Sequence, residues 1–114
     1  MPPEKEIYEA RVRDLSVSAA DHTLRGDFVP SGRIVKLETF LALDETTANK
    51  TITLGIETRT GITTPIKTAA AGAGVYGIYL DTPLILVEGE RPYAKIASAT
   101  ASDNLQLLAR GIYI

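Results

Sequence analysis

RIVKLETFLALDETTANKTITLGIET, residues 33–58, alternates apolar and polar side chains in two runs separated by a polar stretch. A repeat of two is the pattern of a strand with one face turned to a core. In the first run Val35, Leu37, Thr39, Leu41 and Leu43 share a face, while Lys36 and Glu38 share the other with Ile34 and Phe40. In the second, Ile52, Leu54 and Ile56 point one way, and Thr51, Thr53 and Glu57 the other. With the turn-forming DETTAN between them, the two runs read as a hairpin.

The same texture continues outward. TRTG turns the chain into ITTPIK, whose Pro65 lacks an N–H and so favours an edge strand. VYGIYL and PLILVE follow, parted by Asp81-Thr82-Pro83, and EGERP at 88–92 turns into PYAKIAS, which opens on Pro92. After the loop ATASDN comes LQLLARGIYI, apolar on both faces in places, as befits a strand lying between layers. Towards the N-terminus, the alternation of Tyr8, Ala10 and Val12 changes phase before Leu15 and Val17. That predicts a bulge at Arg13-Asp14 or two short strands, with a helix as the other option. No segment sustains a repeat of 3.6 residues with caps. The expectation is an all-β, single-domain antiparallel sandwich of jelly-roll or Greek-key type over residues 15–114. Residues 1–14 are either an arm or an ordinary first strand.

A chain of 114 residues has room for one core, and 45% hydrophobic with 23% charged residues is the composition of a packed domain. The net charge of −2 supplies no cationic excess for counterion release, which argues against nucleic acid. Cysteine is absent, removing disulfides, thiolate metal sites and thiol nucleophiles. The charged start MPPEKEIYEARVRD has no signal-peptide core, and no apolar run is long enough to span a membrane, so use without export is expected.

Chemistry was sought in four places. Gly72, Gly74 and Gly77 have the spacing G-x-G-x-x-G, but TAAA before them is not a hydrophobic strand and VYGIYL after them does not open a helix. A dinucleotide site needs both, and Glu90 at the offset of a ribose-binding acid does not repair the lack. His22, beside Asp21 and with Ser16, Ser18 and Ser31 elsewhere, could seed a hydrolase triad, yet no G-x-S-x-G elbow accompanies it; a turn is the simpler reading. The acids Asp44-Glu45 and Glu88/Glu90 fall in turns and read as solvated charges. Tyr8, Tyr76, Tyr79, Tyr93 and Tyr113 could stack on sugars, but Tyr76 and Tyr79 fall on opposite faces of a regular strand, and sheet stabilisation accounts for them. No catalytic, cofactor-binding or metal-ligating residue is assigned, and an enzyme is not expected.

From Ser31 onward the order of segments resembles small β-sandwich virion accessory proteins of tailed bacteriophages. The matching residues are Gly32, Ile34 and Val35, then Ile52, Leu54 and Ile56, the turn Glu88-Gly89-Glu90, and Asp103 with Leu105. The resemblance implies a capsid decoration or cement protein of head-fibre type, located in the virion after assembly in the host cytoplasm. It further implies a homo-oligomer, with a trimer favoured, whose partner is the major capsid protein or another virion component. The alternative it leaves is a carbohydrate- or receptor-binding module of tail-fibre type.

Overall fold

The structure, a computed structural model, describes residues 7–16 and 19–114. Nine strands follow one another: β1 (Ile7–Leu15), β2 (His22–Arg25), β3 (Ile34–Asp44), β4 (Thr51–Thr58), β5 (Thr63–Ala70), β6 (Gly77–Tyr79), β7 (Leu84–Val87), β8 (Glu90–Ile96) and β9 (Asn104–Tyr113). A front sheet runs β1-β9-β3, with β6 and β7 sharing the far edge of β3, and a back sheet runs β2-β8-β4-β5. All pairings are antiparallel. With β6 and β7 taken as one interrupted strand, this is the strand order of a jelly roll. The all-β antiparallel sandwich is therefore the fold.

The stretch that announces the fold does not form a hairpin. β3 lies in the front sheet and β4 in the back one, so the connection through DETTAN carries the chain across the core. Each strand offers an apolar face, and burying the two against each other removes both from water, whereas edge pairing would leave them to be covered by something else. Phe40, Leu37, Val35 and Ala42 of β3 meet Ile52 and Leu54 of β4 in one core, closed by Leu105 and Leu107 of β9 and Ile96 of β8.

The phase within β3 also departs from strict alternation. Its register against β9 shifts between Leu37 and Thr39, making Glu38 the extra residue of a bulge. Beyond it the inward set becomes Phe40, Ala42 and Asp44, all buried, and Leu41 and Leu43 turn outward. β9 answers the bulge with Gly111: a Cβ there would lie 2.0 Å from the Lys36 carbonyl oxygen. Only a residue without a side chain lets the two backbones come so close.

Other segments are shorter, longer or smoother than expected. β1 pairs with β9 without interruption from Ile7↔Ile112 to Leu15↔Asn104, so Arg13-Asp14 carries no bulge and Leu15 points outward. Residues 7–14 thus belong to a first strand, while residues 1–6 of the proposed arm, and Val17, lie outside the described residues. β5 extends into the alanines as far as Ala70, with Pro65 on the free edge of the back sheet as expected. VYGIYL contributes only the three residues of β6. Pro92 sits inside β8, not at its start. Its carbonyl accepts the Gly26 N–H at 2.9 Å just past the end of β2, so its missing N–H faces the side where the ladder has already finished.

Candidate functional site

The outward face of the front sheet is built by the register described above. One row across it reads Ile7, Ile112, Lys36, Ile85. Beyond that row Ile34 lies opposite Val87, and the Ile114 N–H bonds to the Ile34 carbonyl at 2.9 Å. Towards the other end come the rows Arg11, Leu108, Leu41, Tyr79 and Arg13, Gln106, Leu43, Gly77. A polar band, Glu9 beside Arg110 and then Thr39, separates the two apolar areas. Exposure here is high for such side chains: 64% for Ile114 and Tyr79, 54% for Ile7 and 47% for Ile85. Two hollows of about 250 and 240 Å³ open on this face, one against Ile7, Glu38 and Arg110, the other against Leu41, Leu43, Tyr76 and Tyr79. Tyr76 and Tyr79 thus share a hollow, because the strand begins only at Gly77 and does not part them.

The outward face of the back sheet supplies the contrast. Thr23, Lys95, Thr53 and Thr68 form one row, and the Thr53 and Thr68 hydroxyls are 2.9 Å apart. In the next row the Tyr93 ring lies across Gly55, where a Cβ would stand 2.6 Å from it, between Arg25 and Pro65. Glu57 is buried between Arg91 and Arg25, whose Nε atoms reach its carboxylate at 2.8 and 3.1 Å. Burial alone would raise the pKa of that carboxyl, but the Arg91 hydrogen bond and the charges of both guanidinium groups hold it below the ordinary glutamate range. Glu57→Gln is expected to cost about 1–3 kcal/mol, read as a lower urea midpoint at neutral pH. This stability is present above the usual glutamate pKa and fades as pH falls through the lowered one.

The edges of both sheets are blunted against further pairing. β1 carries Glu9, Arg11 and Arg13, β5 carries Pro65 and Lys67, and the β6/β7 edge is broken between Tyr79 and Leu84. Charges, prolines and breaks of this sort disfavour added strands. On the front face the charges lie among exposed isoleucines, with Lys36 between Ile112 and Ile85.

The candidate residues for chemistry are scattered. His22 opens β2 and its Nε2 lies 2.8 Å from Asp14, not from its neighbour Asp21, which instead pairs with Lys95 at 3.3 Å. The Ser31 hydroxyl donates to Glu88, Ser16 is buried against the 102–103 turn, and Ser18 lies outside the described residues. Glu90 accepts the Val87 N–H at 2.8 Å, closing the turn around Glu88-Gly89. Tyr8 is buried, donates to the Asp27 carbonyl and meets Tyr113 edge-on, and burial raises its pKa. Among the described residues no three or more His, Cys, Asp or Glu side chains gather as a metal site would require.

One turn acid is not solvated. Asp44 is fully buried, and Asp103, one of the residues that carry the resemblance, is buried as well. Asp44 Oδ1 accepts the N–H groups of Thr46 and Thr47 at 3.0 and 2.9 Å, so the carboxyl is drawn under the turn that it organises.

No protein-family model matches the chain, and no curated protein does either. Among solved structures it is similar to the Drosophila NLP core, which is described by its pentamer formation and histone binding, at 15% identity, TM-score 0.45, and over 96% of this chain and 99% of that one. The expectation of a phage decoration or cement protein, or of a carbohydrate- or receptor-binding tail module, is corrected at this point. This aligned structure is an NLP core and not a virion protein, so neither the phage role nor its capsid partner is carried forward. A likeness at this level assigns the chain no function of its own.

Proposed function

We propose that the chain is a non-catalytic assembly protein whose jelly roll associates with further copies of itself through the outward face of the front sheet. The observation that carries this reading is the difference between the two outward faces. The back sheet shows water mainly threonines, charges and the Glu57 ion pairs, with Ile66 at its β5 edge; the front sheet shows it isoleucine, valine and tyrosine beside Glu9, Arg11, Lys36 and Arg110. On one side of the polar band Ile7, Ile34, Ile85, Val87 and Ile114 leave on the order of 400 Å² of apolar surface in water, within the range of the largest patch on a monomer, and Tyr79 adds a second, smaller area beyond the band. The half-buried Leu41, Leu43, Leu108 and Ile112 and the charged rim bring the face close to the roughly 800 Å² per partner of a standard interface. The blunted β1, β5 and β6/β7 edges disfavour association by strand addition.

Native mass spectrometry and sedimentation at about 10–50 μM monomer, the range in which an interface of this size holds, are expected to show an oligomer. Ile112→Lys and Tyr79→Lys are expected to give monomers with an unchanged β-sheet circular dichroism spectrum. A monomeric parent chain, or an unchanged oligomer in both variants, would overturn the reading.

A further inference from the structure

Asp44 ends β3 opposite Leu105, and Asp103 stands two residues before that partner, so the two carboxyl groups are close enough to influence each other directly. Both side chains are buried, at 0% and 2% exposure, and among the described residues neither Oδ2 atom has a hydrogen-bond partner. Two neighbouring carboxylates with bare oxygens out of water are costly, and a single proton shared between the groups would turn the repulsion into a hydrogen bond. We propose that Asp44 and Asp103 form a proton-sharing latch, which holds the loops at this end of the sandwich together in mild acid and loosens them as pH rises.

The loops concerned are tied at the pair itself. The Glu45 N–H bonds to the Asn104 carbonyl at 2.8 Å, the Ser16 N–H to the Asp103 carbonyl at 2.9 Å and the Ser102 N–H to the Ser16 carbonyl at 2.7 Å. Other charged groups on the packed elements have partners of their own. Lys50 donates to the Ser98 carbonyl and the Thr100 hydroxyl at 2.7 and 3.0 Å and adds only a distant attraction to Asp103. Glu45 turns outward to Arg13, Asp14 pairs with His22, and Asp21 with Lys95. No hollow described on the surface is lined by either aspartate, which sets the pair apart from a catalytic dyad.

The direction of the pH effect follows from the two carboxyl groups. Burial, and next the Asp103 carboxyl, raise the pKa of Asp44; the hydrogen bond from Asp44 lowers that of Asp103. The contribution of Asp44 is complete below the ordinary aspartate value of about 3.9 and is lost as pH climbs through the raised one. That of Asp103 is present above the ordinary value and is lost only as pH falls through the lowered one. Of the two carboxyl groups, therefore, only Asp44 gives up its stabilisation on the way from mild acid to neutrality.

Backbone amide hydrogen exchange on the full chain from about pH 4 to about pH 8 tests the latch, with protection corrected for intrinsic rates. Protection at Ser16, Glu45 and Ser102 is expected to fall about tenfold per pH unit once the shared proton is lost. In Asp44→Asn the amide donates permanently where the proton did, and protection should stay flat; Asp103→Asn places the same donor on the opposite side, so one variant suffices if the other does not fold. Flat protection in the parent chain, or the same fall persisting in the Asn variants, would overturn the proposal.

Discussion

Phe40→Ala is expected to cost about 3–5 kcal/mol, measured as the loss of unfolding free energy in a urea titration. Phe40 is the largest fully buried side chain, and truncating it leaves a void between two sheets whose strands are fixed by ladders on either side. A rigid sandwich cannot collapse into the gap, so the lost contacts add to the lost transfer energy. Leu41→Ala, one residue on, is expected to cost about 1 kcal/mol or less, since that side chain faces outward and keeps part of its surface in water. The ordering of the two variants tests the bulge at Glu38 directly, because a strand in unbroken alternation would reverse it.

A second substitution should be more damaging for its size. Gly111→Ala places a methyl group 2.0 Å from the Lys36 carbonyl oxygen and 2.7 Å from its carbonyl carbon, both backbone atoms that cannot rotate away. β9 would have to separate from β3 in the middle of the front sheet, giving up ladder hydrogen bonds on the strand that also holds β1. An expected loss of about 4 kcal/mol or more follows, large enough to leave little folded protein. A thermal melt compared with Gly61→Ala, where the added Cβ meets nothing within 4 Å and strain from a φ of +85° is the only penalty, separates steric conflict from the general effect of losing a glycine.

Much of this fold could be read from residue alternation, and its errors have physical causes. β4 shows its inward set, Ile52 and Leu54, because no irregularity interrupts it up to that point. β3 hides its own set because one inserted residue, Glu38, reverses the sides, and a bulge leaves no mark beyond a charged residue amid apolar ones. The hairpin expectation failed for a different reason. A polar loop of several residues can join neighbours in one sheet or opposite strands in two, and the choice depends on which distant strands are available to pair. For β3 these are β9, β6 and β7, all far along the chain.

The candidate site was legible only in fragments. Ile34, Ile85, Ile112 and Tyr79 each read as ordinary strand residues, and their common exposure emerges once the register sets four strands side by side. The mixed face of LQLLARGIYI was the one local hint, because a strand apolar on both sides has more to cover than its own core. Asp44 was read as a solvated turn acid, since turn composition reveals nothing about what the turn folds over. Its partner Asp103 comes from a segment 59 positions further along, so no local window contains the pair.

The pairing of β1 with β9 along their whole lengths has a consequence for how the molecule comes into being. During synthesis β1 stays unmated until β9, far later in the chain, has been made, and β3 waits for β9 too. Until then Tyr8 and Ala10, both buried in the finished fold, have no β9 to lie against. The same adjacency brings Ile7 beside Ile112, so a short tether between those ends, with new termini opened in the 97–103 loop, should yield a permuted chain that refolds faster than the parent.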